Sequence, residues 1–433
     1  MKNKFFVFII CWFAPLAMLL GQTGRYAEPV FSKAMVTRGI PFSFVEKDND
    51  NGWERLYFDF YEPPGDTIPA RPLVITVFGG AFVAGSRDFS DMEEYCTRLA
   101  KLGYTAASID YRLMSVFSAS AKNIIREIYM ASQDVSAAVR FFKAYCDEYR
   151  IDTNNIFLLG NSAGSIAILH ELFMSEEERP AETWLPPALN EQYSSEYCDY
   201  YKYSPDVAGA VAQWGGVLDL DFIDSADCVP LCLIHGTADE TVPYDSGYCY
   251  SSSFSSIMPY MYGSLPISER LLSIGCDSYE FHPIQNEEHA FYLSSFYQLI
   301  GAKFDVCYNI VHDFLLNNLD FSWQEEVGQN NTDSIQGDED FINTCYDTPF
   351  DFEVFPNPTK GKINVKCNSF NIQSFDIQSF DIQLFNLYGA LLEPVKDVSG
   401  EVQLDLSDYA AGIYFLKFLK NGKIVGTRKI VMN

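Results

Sequence analysis

The sequence predicts an α/β protein: a doubly wound, mostly parallel sheet, followed by a small all-β sandwich. Three observations carry that expectation. Short β-rich apolar runs alternate with helical patterns from Arg55 to about residue 316, as strand–helix–strand units in a parallel sheet do. One junction, Gly160-Asn161-Ser162-Ala163-Gly164, turns a strand sharply into a helix. Beyond residue 351 helical periodicity gives way to alternating runs separated by glycine turns.

The elements follow in order. Residues 55–61 alternate as an edge strand should, and residues 73–78 form a short apolar strand. Ser90-Asp91-Met92-Glu93 has the pattern of a capping box, opening a helix to about Leu102. Residues 105–109 are the next strand. Val135, Ala138, Val139, Phe142 and Cys146 recur at helical spacing. Residues 156–159 are a strand, and a helix starts at Ala163. Residues 207–213, 230–234 and 279–284 complete the first region. In the second, residues 362–365, 382–386, 401–406, 413–419 and 423–431 read as strands. A five-residue repeat begins at Ser369, Ser374 and Ser379. An odd period turns each copy to the opposite face of a strand, so the repeat is expected in an extended loop.

The expected organisation is a signal peptide over residues 1–21, a catalytic domain over 26–321, an acidic linker over 322–350 and a second module over 351–433. Lys2 and Lys4 precede an apolar run over residues 5–20, short for a bilayer span, so cleavage is expected rather than a transmembrane anchor. The 433 residues carry a net charge of −28, with 58 acidic against 30 basic residues. Such a chain repels phosphate backbones, which argues against nucleic-acid binding. Of the 11 cysteines, Cys11 lies in the leader, and an exported chain can pair the others. Cys249 and Cys276 bracket an irregular segment and are the pair expected first. Cys96, Cys146 and Cys232 sit in apolar patterns and are expected to be packed. No Cys/His set has zinc spacing, so neither metal nor cofactor is expected.

The chemistry-bearing residues start at Ser162. Flanking glycines let the chain turn sharply, and the turn lifts the serine hydroxyl to a helix N-terminus. A serine nucleophile needs a base, and the base needs an orienting acid. Asp239 lies in the loop after the strand at 230–234, with Glu240 and Asp245 as alternative acids nearby. His289 follows the last strand and is the best placed base. Of the other histidines, His235 is expected to brace the acid loop, and His282 to pack within the last strand. His170 and His312 fall on helices. Phe78-Gly79-Gly80-Ala81 follows the strand at 73–78, where backbone amides can face a developing oxyanion. The expected donors are the amides of Gly80, Ala81 and Ala163.

Together, Phe78-Gly79-Gly80-Ala81, Asp110-Tyr111-Arg112-Leu113, the serine motif, Asp239 and His289 resemble the carboxylesterase and hormone-sensitive-lipase-like branch of the α/β-hydrolases. That branch includes carbohydrate-ester deacetylases and feruloyl esterases. The resemblance implies a secreted serine esterase acting on small-molecule or glycan esters through an acyl-enzyme. One departure stands out: the family usually has His where Phe78 stands, and that His braces the oxyanion loop. The C-terminal module is similar to type IX secretion sorting domains, in Phe355-Pro356-Asn357-Pro358, Leu384-Phe385-Asn386-Leu387-Tyr388-Gly389 and Ala411-Gly412-Ile413-Tyr414-Phe415. It implies export through the periplasm and a partner in outer-membrane secretion machinery. Two alternatives stay open. A prolyl-oligopeptidase-type peptidase shares the triad, although such enzymes usually have a bulky aromatic in place of Ala163. A non-catalytic surface binding protein could use the same scaffold. Tyrosine-rich segments at 193–203 and 244–262 suggest either a sugar-stacking platform or ordinary loop packing.

Overall fold

The computed structural model describes residues 24–46, 53–185, 189, 200, 202–224, 228–250, 258–294, 298–320, 350–355, 359–369, 380–386, 391–398, 401–407, 409–410, 412–420 and 423–432. The expected leader, and the expected linker apart from Phe350, lie outside these residues. The chain divides into two compact units, Met1–Thr332 and Asp333–Asn433.

The first unit is built on an eight-stranded sheet. In chain order its elements are β1 (Met35–Glu46), β2 (Trp53–Glu62), β3 (Arg71–Val77), α1 (Ser90–Leu102), β4 (Thr105–Ile109), α2 (Ala121–Ala144), β5 (Ile151–Asn161) and α3 (Ala163–Phe173). There follow β6 (Gly209–Gln213), β7 (Leu231–Gly236), a small hairpin of β8 (Ser246–Tyr248) and β9 (Tyr260–Tyr262), α4 (Ser264–Ser273), β10 (Tyr279–Ile284) and α5 (Gly301–Asn317). The sheet order is β1-β2-β4-β3-β5-β6-β7-β10. Pairs from β4 to β10 are parallel, whereas β1–β2 and β2–β4 are antiparallel.

Burial explains the parallel part. Every residue of β3, β4, β6 and β7 is buried, so these strands read as continuous apolar runs rather than alternating ones. The connection from β3 to β4 steps one way along the sheet, and that from β4 to β5 steps back the other way. With right-handed crossovers, α1 and α2 therefore fall on opposite faces. Tyr95 of α1 lies 4.6 Å from Phe304 of α5, so these two helices share a face. The reversal places a crevice at the carboxyl ends of the central strands, where ligands bind in open α/β sheets.

Three expectations need correction here. Residues 55–61 are not an edge strand, because β1 pairs outside them. β1 is interrupted by two register shifts and is largely exposed, so it lacks a clean alternating pattern. The capping box at Ser90 does not form; the cap position is Phe89, with no side-chain cap bond. Glu93 instead pairs with Arg38 of β1 at 2.6 Å. Cys276 is joined to Cys228, not to Cys249, across 5.5 Å between Cα atoms. Cys249 is a buried free thiol, as are Cys96 and Cys232, while Cys146 is half-buried.

The second unit holds two antiparallel sheets. One is β11 (Phe350–Phe355), β12 (Lys362–Ser369) and β15 (Glu401–Asp405), in the order β11-β12-β15. The other is β13 (Phe380–Asn386), β14 (Leu391–Val398), β16 (Gly412–Lys420) and β17 (Lys423–Met432), in the order β14-β13-β16-β17. Both contribute to one apolar cluster that includes Ile363, Val365, Ile382, Leu384, Leu416, Phe418 and Ile430. The third copy of the repeat, from Phe380 on, belongs to β13 and not to a loop. Ile382 of this copy and Leu384 just after it extend the alternation into the core, which a copy followed by another copy could not do. Residues 370–379 lie outside the described residues.

Candidate active site

Ser162 sits at the cap of α3 with φ 50° and ψ −121°, a strained conformation for a residue with a side chain. Its neighbours make that turn feasible. A Cβ on Gly164 would lie 2.1 Å from the Val77 carbonyl oxygen, and one on Gly160 would lie 2.7 Å from Gly164 and from Ile168. Only glycine at both positions lets α3 dock this closely on β3 and β5. The Ser162 amide donates to the Gln213 carbonyl of β6 at 2.9 Å, which pins the turn from beside.

Three chain segments converge on the serine. The Ser162 hydroxyl lies 2.8 Å from Nε2 of His289, in the loop after β10. Nδ1 of His289 lies 2.7 Å from Oδ2 of Asp239, in the loop after β7. Oδ1 of Asp239 accepts from the amides of Thr241 at 2.8 Å and Val242 at 3.1 Å. Burial alone would raise the pKa of this carboxyl. Hydrogen bonds from His235 and His289 outweigh that and lower it to about 2. His235 is wholly buried; its Nε2 lies 3.2 Å from Asp239 Oδ2 and 3.1 Å from the Val242 carbonyl, and its Nδ1 lies 2.9 Å from the Ser264 hydroxyl. Among the described residues it is Asp239, and neither of the alternative acids Glu240 and Asp245, that is hydrogen-bonded to His289.

The remaining histidines are occupied elsewhere. His170 is buried in α3, with Nδ1 2.7 Å from the Ile166 carbonyl and Nε2 accepting from the Leu218 amide at 3.2 Å. Burial holds it neutral, lowering its value to about 4. His312 reaches the Tyr26 carbonyl at 2.7 Å. His282 is not packed away: it is partly exposed and lies 3.1 Å from Glu280. A position on the last strand of a sheet leaves one flank open. Cys232, Glu280 and His282 are the group whose donor atoms converge, within 4.8 Å of one another. Burial raises the Cys232 thiol, which opposes the thiolate a soft cation needs.

The loop after β3 lies against the serine. A Cβ on Gly79 would fall 3.0 Å from that of Ser162, so the glycine permits the approach. Gly80, Ala81 and Phe82 all have positive φ, at 136°, 55° and 62°. The loop is closed by bonds from the amides of Val83 and Ala84 to the Gly80 carbonyl, both at 3.1 Å, and from Met114 to Phe82 at 2.9 Å. Among the described residues the amides of Gly80, Ala81 and Ala163 have no protein acceptor.

Phe78 holds this loop without an imidazole. Its ring is buried and stacks on Tyr111, with centroids 4.5 Å apart and planes at 27°. The Tyr111 hydroxyl donates to the Phe78 carbonyl at 3.0 Å. Tyr111 belongs to the Asp110-Tyr111-Arg112-Leu113 segment, whose charged neighbours anchor it: Asp110 pairs with Arg87 at 2.7 Å, and Arg112 with buried Asp134 at 2.8 Å. The sequence pattern singled out this segment without revealing its use. Its use follows from the pairing of β4 beside β3, which sets Tyr111 against Phe78.

Beside Ser162 opens a pocket, open to solvent and lined chiefly by Phe82, Ile124, Ile128, Ile166, Val242 and Met261. Met261 enters it from β9, while Tyr248 and Tyr260 stay largely exposed, with rings 5.3 Å apart. Most of the 193–203 segment lies outside the described residues.

Comparison with known proteins finds a family match within each unit. Residues 58–228 match the BD-FAE family model, and residues 353–433 match that of the secretion system C-terminal sorting domain. The chain carries a BD-FAE α/β-hydrolase domain and a sorting domain. The BD-FAE match covers β2 to β6 and includes the serine turn and the Phe78 loop. The sorting domain directs the chain to the cell surface or the medium. Among curated proteins, neutral cholesterol ester hydrolase 1 of Rattus norvegicus is 29% identical over 110 residues. The match spans 24% of this chain and 24% of that one, so the chain covers about a quarter of its relative's length. Among solved structures, Thermogutta terrifontis esterase 2 phosphorylated by paraoxon is 18% identical with a TM-score of 0.46, over 66% of this chain and 95% of that one. A truncated carbohydrate esterase from gut microbiota is 15% identical with a TM-score of 0.42, over 67% and 98%. No helix among the described residues is long and apolar enough to cross a membrane.

Proposed function

We propose that the first unit is a serine esterase that cleaves carboxylic esters through an acyl-enzyme. The observation that carries this reading is the unbroken Ser162–His289–Asp239 relay, with contacts of 2.8 and 2.7 Å. Ser162 attacks the ester carbonyl carbon while His289 Nε2 takes its proton. Asp239 holds the Nδ1 proton and stabilises the imidazolium as it forms. The carbonyl oxygen gains negative charge and is held by the amides of Gly80, Ala81 and Ala163. His289 returns the proton to the leaving alcohol. Water, deprotonated by the same imidazole, then attacks the acyl-enzyme and releases the acid.

The pocket suits an uncharged acyl group, because its lining is mostly apolar and holds no charged side chain. Tyr248 and Tyr260 are exposed on the face of the β8–β9 hairpin opposite the pocket-lining Met261, so the choice of alcohol rests on the resemblance of the serine and oxyanion motifs to carbohydrate-ester esterases. This makes acylated carbohydrates the favoured substrates. The experiment is hydrolysis of short-chain aryl esters and of acetylated and feruloylated glycans by the wild type and by Ser162→Ala. The account expects ester turnover that falls at least about 10³-fold in the variant. Full activity in Ser162→Ala refutes the serine mechanism, and aryl-ester turnover with no release from any glycan refutes the carbohydrate assignment.

A further inference from the structure

Under the serine turn lies a buried polar network that the acyl-transfer steps do not use. Asp91, in the first turn of α1, is 2% exposed. Its Oδ1 accepts from the Met92 amide at 3.0 Å. Its Oδ2 accepts from Asn161 Nδ2 at 2.6 Å and from the Tyr292 hydroxyl at 3.3 Å. Among the described residues no lysine or arginine pairs with it, and burial pushes its carboxyl toward the protonated form. Such a group is costly to bury, so its bonds must be held in good order.

Its partners sit next to the proposed machinery on three separate segments. Asn161 directly precedes Ser162. Its Oδ1 has no hydrogen-bond partner among the described residues and fills the space a Gly79 side chain would take, 2.8 Å from that glycine's notional Cβ. The Asn161 side chain therefore separates the serine turn from the oxyanion loop and sets their spacing. Tyr292 is fully buried three residues after His289. Its hydroxyl also lies 3.0 Å from Gln213 Oε1, and Gln213 Nε2 donates to the Tyr95 hydroxyl at 2.7 Å. The backbone carbonyl of Gln213 receives the Ser162 amide. One carboxyl thus touches the nucleophile turn and the histidine loop, from the helix that the oxyanion loop leads into.

We propose that Asp91 is a positioning residue for acyl transfer: through Asn161 it fixes the serine against the oxyanion loop, and through Tyr292 it fixes the loop that carries His289. Displacements of the order of 1 Å in such a constellation cost about 10²-fold in rate. The role shows in turnover and not in ground-state binding. It rests on the serine-esterase reading.

The test uses the full-length protein and a short-chain aryl ester, with Asp91→Ala, Asp91→Asn, Asn161→Ala, Tyr292→Phe and the Asp91→Ala/Asn161→Ala double variant. Rates are taken per folded molecule, with melting temperature measured alongside. Asp91→Ala and Tyr292→Phe are expected to lower kcat about tenfold to a hundredfold while KM moves less than about twofold. Asp91→Asn, which keeps an acceptor oxygen toward Asn161, is expected to recover most of the loss. The double variant is expected to be little worse than Asp91→Ala, because both changes remove one contact. If Asp91→Ala cannot be folded, Tyr292→Phe, which removes a single hydroxyl, carries the test. The proposal is overturned if kcat stays within twofold in the foldable variants, if the two single losses multiply, or if the lost rate is matched by lost folded fraction. Ser162→Ala in the same series separates the two levels. An active Ser162→Ala refutes the underlying mechanism, whereas an inactive one beside a normal Tyr292→Phe refutes only the positioning role.

Discussion

At residue scale, the bond that the resembled family takes from an imidazole at position 78 has a counterpart in the Tyr111 hydroxyl. A histidine at position 78 would brace the oxyanion loop through its ring nitrogens. Phe78 has none, and the polar contact comes instead from the Tyr111 hydroxyl to the Phe78 main chain. Ring stacking contributes a further ~0.5–1.5 kcal/mol. Tyr111→Phe keeps the stack and removes the bond, leaving a buried carbonyl oxygen unpaired at a cost of about 1–3 kcal/mol. The expected outcome is a fall of about tenfold in kcat/KM for an aryl ester, with a lower melting temperature. Unchanged kinetics would show that the loop is held without this bond. The three triad candidates were legible in the sequence because each follows a strand in the expected chain order. Their supporting residues were not. Asp91 falls inside the expected capping box, and nothing in the sequence marks Tyr292. Nothing local marks a side chain whose partner is 70 or 201 residues away.

The strand–turn–helix of β5 and α3 was the most legible element, and packing explains why. Gly160 and Gly164 are required by close approach, so chemistry and packing left the same mark in the sequence. Gly164→Ala is expected to push α3 off β3, since its methyl would sit 2.1 Å from the Val77 oxygen. Overpacking of this kind costs about 1–3 kcal/mol or more and should appear as a lower urea midpoint together with lost activity. A variant as stable and active as the wild type would mean the turn has slack. β1 was illegible for the opposite reason. It is exposed and irregular, and only its hairpin pairing with β2 makes it a strand. The disulfide was misjudged because Cys228 lies just before β7, where nothing in the local pattern distinguishes it from a packed cysteine. Joining residues 48 apart closes a loop worth about 4 kcal/mol in the chain-entropy account, consistent with a protein destined for an oxidising exterior.

For the whole molecule, two units with separate apolar clusters divide the work between chemistry and export. A chain ending at Thr332 is therefore expected to keep the aryl-ester kcat/KM of the full protein while remaining behind the outer membrane of the producing cell. Loss of activity in the shortened chain would show that the second unit completes the site. The central claim, that Ser162 is the one activated serine, is tested most directly by reacting the full-length protein with a fluorophosphonate probe and mapping the labelled peptide. The account predicts one probe per chain, on Ser162, with labelling slowed at least a thousandfold in His289→Ala. An active protein that takes no label, or takes it on a different residue, would contradict it.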